Sequence, residues 1–151
     1  MGGYKVLESQ FVTIVIVEDD PGHAKLIEKN LRRGGLENPI KTFENGQQAL
    51  DYLKGQGDFE GHPINQCTLL LLDINMPVMN GVELLRILKQ DTKLREIPVI
   101  ILTSTDDQRE INECYRLGCN LYVPKPVESD RFSDTVRKLG LLIGLIAVPS
   151  L

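Results

Sequence analysis

Residues 68–73 read Thr68-Leu69-Leu70-Leu71-Leu72-Asp73, four leucines in a row closed by a carboxylate. A run with no polar alternation fits a strand covered on both faces, as in a parallel sheet, better than a strand with one wet face. The third strand is therefore placed at Thr68–Leu72, with Asp73 at its carboxyl end. Working outward, the same grammar repeats. Phe11–Val17 is β-branched and too short for a helix, so it predicts a first strand. Ile40–Phe43 predicts the second, Pro98–Leu102 the fourth and Leu121–Val123 the fifth.

Amphipathic stretches fill the gaps. Asp20-Pro21 opens a helix whose apolar face is Ala24, Ile27 and Leu31 and which Gly34-Gly35 stops. Gly46–Lys54 turns Ala49, Leu50 and Leu53 inward. Val82, Leu85 and Leu88 mark a third helix after Asn80-Gly81, and Asp106-Asp107 caps a fourth that Gly118 ends. A last helix runs from about Ser129 toward Ile146. The polar segment Gly55–Gln66 is a long loop. Five strand–helix pairs in strict alternation predict an α/β fold, a doubly wound five-stranded parallel sheet with helices on both faces. No internal repeat, linker or second domain interrupts it, so residues 1–151 read as one domain with a core over about 12–144 and a flexible arm at 1–10.

Composition bounds the function. With 151 residues, 42% hydrophobic, the chain is neither disordered nor multi-domain. Twenty-one acids against 17 bases give a net charge of -4, and no Lys/Arg run offers a surface for nucleic acid or an anionic membrane. The N-terminus has no apolar h-region. The longest apolar run, Leu139–Val148, is far short of the roughly 20 residues that span a bilayer. Cys67, Cys114 and Cys119 lack metal or redox spacing and read as incidental thiols of a reducing cytoplasm. His23 and His62 stand alone in sequence and read as surface or loop histidines.

In doubly wound sheets chemistry gathers at the carboxyl ends of the strands. Those ends here are Glu18-Asp19-Asp20, Asp73, Thr103-Ser104 and Lys125-Pro126. Clustered carboxylates repel one another, and a hard divalent cation held by oxygens resolves the clash. Asp20 alone needs no more than a helix cap. Asp73, closing an apolar strand beside three other polar strand ends, is not accounted for that way.

The pieces Val17-Glu18-Asp19-Asp20, Leu72-Asp73-Ile74-Asn75-Met76-Pro77 with Asn80-Gly81, Leu102-Thr103-Ser104 and Tyr122-Val123-Pro124-Lys125-Pro126, in this order on successive strand ends, resemble the receiver domain of two-component response regulators. The resemblance spans about residues 12–144. It implies a flavodoxin-like strand order 2-1-3-4-5, with Asp73 as phosphoacceptor. Mg²⁺ or Mn²⁺ would be bound by Asp19, the Asp73 carboxylate and the Asn75 backbone carbonyl, with Glu18 acting through water. Thr103 and Lys125 would contact the phosphoryl oxygens, Thr103 and Tyr122 would form the switch, and the Lys125–Pro126 bond would be cis. A carboxylate nucleophile forms a covalent acyl phosphate, and stabilisation of non-bridging oxygens does the rest.

Two rivals fail on residues. Phosphatases with a strand-end Asp nucleophile want an acid two positions on, where this chain has Asn75. A flavin or nucleotide binder wants a phosphate loop after the first strand, where three acids stand. The expected molecule is thus no enzyme beyond its own phosphorylation and dephosphorylation. It is a stand-alone, cytoplasmic receiver that takes its phosphoryl group from a sensor histidine kinase. Its output is protein contact, dimerisation or onward transfer, as a relay intermediate or a phosphate sink. The segments Gly55–His62 and Asp91–Pro98 and the long last helix resemble single-domain regulators that accompany bacterial phytochrome kinases. The last helix carries Phe132, Val136, Leu139, Ile143 and Ile146 at alternating spacings of four and three, widened by Leu142, an apolar seam. It predicts a homodimer through the fourth helix, fifth strand and fifth helix.

Overall fold

Alternate residues of a strand point to opposite faces, and each face of the leucine run finds its own apolar layer. The structure, a computed structural model, describes residues 4–6, 12–33, 36–61, 68–104, 106–125, 134–135, 138 and 147–149. The central strands are β1 (Thr13–Val17), β2 (Ile40–Phe43), β3 (Thr68–Asp73), β4 (Val99–Thr103) and β5 (Leu121–Pro124). They pair in parallel in the order β2-β1-β3-β4-β5, the expected 2-1-3-4-5. The helices are α1 (Pro21–Arg33), α2 (Gly46–Lys54), α3 (Gly81–Gln90) and α4 (Gln108–Leu117).

On one face Leu69 and Leu71 join Ile14, Ile16, Ile100 and Leu102 under Ile27 and Leu31 of α1. On the other, Leu70 and Leu72 join Val15, Val17 and Ile101 under Leu53 of α2 and Leu84, Leu85 and Leu88 of α3. All residues of β1, β3 and β4 are buried, whereas β2, at the sheet edge, is only partly covered. Burial on both faces removes the polar alternation from the central strands.

Element ends differ from the sequence reading by a residue or so. β3 includes Asp73 and β4 runs from Val99 through Thr103, so both polar side chains sit on the last rung of the ladder. The loop after α2 contains a short 3₁₀ turn, Gly57–Phe59, which the sequence reading missed. Phe59 meets Phe43 and Tyr52 edge-on at 5.7 and 5.4 Å, and these contacts hold the turn against the sheet edge. Within the arm expected to be flexible, Tyr4–Val6 pairs antiparallel with Ala147–Pro149. Residues 134, 135 and 138 are helical, in keeping with a last helix. The seam residues Phe132, Val136, Leu139, Leu142, Ile143 and Ile146 lie outside the described residues, as do Cys67, His62 and Pro126.

Candidate functional site

Because every sheet strand runs the same way, all their carboxyl ends open on one edge. Register aligns Val17 with Leu72, Asp73 with Leu102 and Thr103 with Pro124. The residue after β1, the last of β3, the last of β4 and the residue after β5 therefore stand side by side. The Lys125 backbone N–H donates to the Thr103 carbonyl at 2.8 Å, fixing where the lysine leaves the sheet.

Glu18, Asp19 and Asp73 converge so that one carboxylate oxygen of each lies within 4.8 Å of the others. Glu18 and Asp73 are buried and Asp19 is exposed. Lys125, its side chain 8% exposed, donates from Nζ to Glu18 Oε1 at 2.7 Å and lies 3.6 Å from Asp73 Oδ2. The lysine thus bonds Glu18 and only flanks Asp73. Burial, then the neighbouring Glu18 carboxylate, push the Asp73 carboxyl up to about 7, against the smaller pull of Lys125. The Asn75 backbone N–H reaches Asp73 Oδ1 only at 3.4 Å. Thr103, the last residue of β4, is fully buried. Tyr122 is half-buried and packs edge-on against Tyr115 of α4, ring centroids 6.0 Å apart.

The donor set fits a hard divalent cation. It is all oxygen, it concentrates negative charge, and Glu18 Oε2 is buried with no hydrogen-bond partner among the described residues. A groove of about 430 Å³, lined in part by Glu18, Asp19, Pro21 and Glu44, opens on this side.

Asp20 does cap α1: its Oδ1 accepts from Gly22 N at 2.8 Å and His23 N at 3.2 Å, and the His23 N–H bond leads in holding its carboxyl low. Cys114 and Cys119 are buried free thiols, and burial pushes Cys114 up to about 11, so no reactive thiolate forms there.

Three structural constraints escaped the sequence reading. His23 is not a loop histidine: its Nδ1 lies 3.1 Å from Glu18 Oε1 and 3.5 Å from Lys125 Nζ. The available signal was its place in the first turn of the helix that follows the acids. Gly81 has no room for a side chain, since a Cβ there would come 2.3 Å from the Asp73 carbonyl oxygen. Val78 takes φ 70° while Met79 N donates to Pro77 O at 2.8 Å, a tight turn between β3 and α3 that valine rarely makes.

The response regulator receiver domain family matches residues 14–137. A solved receiver domain from Rhodospirillum rubrum is 46% identical, superposes with a TM-score of 0.79, and the match covers 91% of this chain and 97% of that one. Response regulator Rcp1 of Synechocystis sp. is 31% identical over 112 residues, 74% of this chain and 75% of its own length. Its Mn²⁺-bound crystal structure superposes with a TM-score of 0.82 at 26% identity, over 92% of this chain and 99% of that one. The bacteriophytochrome response regulator RtBRR is 39% identical with a TM-score of 0.74, over 85% of this chain and 78% of its own. Among the described residues, no helix is long and apolar enough to cross a membrane.

Proposed function

The chain belongs to the response regulator receiver domain family, and we propose on that footing that Asp73 takes a phosphoryl group from a sensor histidine kinase in a reaction that needs Mg²⁺ or Mn²⁺. The observation that carries this reading is the convergence of Glu18, Asp19, Asp73 and Lys125 on one strand edge.

A carboxylate oxygen of Asp73 forms the new bond to phosphorus as the bond from phosphorus to its donor breaks, and the donor leaves with that electron pair. With acetyl phosphate the leaving group is acetate. Charge on the non-bridging oxygens must be met by groups already in place. Lys125 supplies one such group from 3.6 Å away, and the Thr103 hydroxyl another. Asp19, Asp73 and the Asn75 carbonyl would hold the cation, with Glu18 acting through water. When bound, the cation would neutralise the carboxylates and share the phosphoryl charge. The site turns over no external substrate, because Asn75 cannot serve as a general acid.

The likeness to the bacteriophytochrome response regulator RtBRR supports a phytochrome-type kinase as the donor, which would meet this chain in the cytoplasm. Output would pass through α4 and β5, where Tyr115 and Leu121 are 43% and 37% exposed, to a second copy of the chain. Sedimentation at micromolar concentration should give the dimer mass; a monomer both with and without phosphorylation would remove the dimer.

The central test is intact-protein mass after incubation with acetyl phosphate, with Mg²⁺ or EDTA, for wild type and Asp73→Asn. One added phosphoryl group, dependent on Mg²⁺ and absent in the variant, is expected. No gain from acetyl phosphate or from a histidine kinase would overturn the reading.

A further inference from the structure

We propose that His23 is a positioning residue: it shares the inner oxygen of Glu18 with Lys125, and so lets the lysine change partners when a phosphoryl group arrives on Asp73. The contact stands on geometry alone, while its consequence for phosphoryl transfer rests on the receiver reading above.

The start of α1 sets the contact. The His23 backbone N–H donates to Asp20 Oδ1 at 3.2 Å, locking the first turn. From there the ring places Nδ1 3.1 Å from Glu18 Oε1 and Nε2 3.8 Å from Asp20 Oδ2, so the imidazole lies between two carboxylates. Lys125 Nζ is 2.7 Å from the same Oε1 and 3.5 Å from Nδ1. An ionised carboxylate oxygen only accepts hydrogen bonds, so Nδ1 carries its hydrogen in this contact. Histidine and lysine are then two donors on one oxygen.

This sharing matters because of where Glu18 sits. The residue is 2% exposed and its other oxygen is buried without a hydrogen-bond partner among the described residues. Pulling the lysine away would leave the buried Oε1 without its donor unless another group meets it, and a stranded acceptor is costly. With His23 in place, Oε1 keeps a donor while the ammonium turns toward the oxygens on Asp73. The side chain of His23 is 33% exposed, so the ring packs against the site without being sealed inside it.

Two measurements test this. The first uses metal-free protein and no phosphodonor: chemical denaturation of wild type, His23→Leu, Lys125→Met and the double variant. If both donors sustain Glu18, the double variant loses more than the sum of the single losses, and a double variant that fails to fold while both single variants fold counts the same way. Additive losses, or a Lys125→Met chain that cannot fold with His23 present, would overturn the proposal.

The second is the rate of Asp73 phosphorylation by acetyl phosphate at saturating Mg²⁺. His23→Leu should lower the maximal rate about ten-fold, the worth of one hydrogen bond, without changing the half-saturating donor concentration. His23→Asn, whose amide nitrogen can stand where Nδ1 does, should restore most of the rate. An unaffected Leu variant, or an Asn variant as slow as the Leu one, would also overturn it. A wild type that takes no phosphoryl group would instead sink the receiver reading, and the denaturation cycle would still decide the contact.

Discussion

A Cβ on Gly81 would sit 2.3 Å from the Asp73 carbonyl oxygen and 2.8 Å from the Ile74 Cα. Both are backbone atoms at the end of β3, so room for a methyl group comes only from moving Asp73 and Ile74. Gly81→Ala should cost about 3 kcal/mol in urea denaturation. The displaced carboxylate should also slow acetyl-phosphate labelling by about 100-fold, read by intact mass. Three residues earlier the effect reverses. Val78, with φ 70° and 79% of its surface exposed, bears a strained turn that no packing offsets. Val78→Gly should raise stability by about 1 kcal/mol, seen as a melting temperature higher by roughly 2–4 °C. Neither constraint announces itself in sequence, even though Gly81 belongs to the family pattern, because close backbone approach and a turn's φ are set by how elements meet.

Among the elements, β4 is anchored at its entry by a side chain acting as a strand. Asn120 Oδ1 accepts from Val99 N at 2.9 Å while Asn120 N donates to Val99 O at 2.8 Å, which extends the β4–β5 ladder by one rung. Asn120→Ala would strand the N–H of fully buried Val99 and should cost about 2 kcal/mol in denaturation. Phosphorylation rates should hold, since Val99 lies at the opposite end of β4 from Thr103. The strands themselves were legible because double-sided burial leaves unbroken apolar runs such as Leu69–Leu72. Asp73, Thr103 and Lys125 were legible because each is the first polar break after such a run, and family resemblance gave them roles. His23 was not, since no period marks a ring that the first turn of α1 folds back onto Glu18, five residues earlier, where Lys125 joins it from across the chain. The Gly57–Phe59 turn was hidden for a related reason: its Gly-rich, polar surroundings read as loop, while Phe59 is held by aromatics on β2 and α2.

At the scale of the whole molecule, the site opposes the fold that builds it. Folded Asp73 holds its proton up to about 7, whereas an unfolded aspartate releases it near 3.8. Between those values the native state binds more protons, so metal-free stability should fall as pH rises through the window. In EDTA, Asp73→Asn should melt roughly 3–6 °C above wild type at about pH 8 and nearly level with it at about pH 4.5. A variant that melts no higher at alkaline pH would contradict the raised carboxyl. Mg²⁺ should stabilise wild type by about 2.7 kcal/mol at a hundred times its dissociation constant, and Asp73→Asn by less. Glu18 and Lys125, which close the site, stand 107 residues apart in the chain. A ribosome making this protein exposes the Asp73 carboxylate long before the lysine leaves the exit tunnel. Labelling competence should therefore appear only after residue 125 has emerged, so that under the proposed function a half-made chain would send no premature signal.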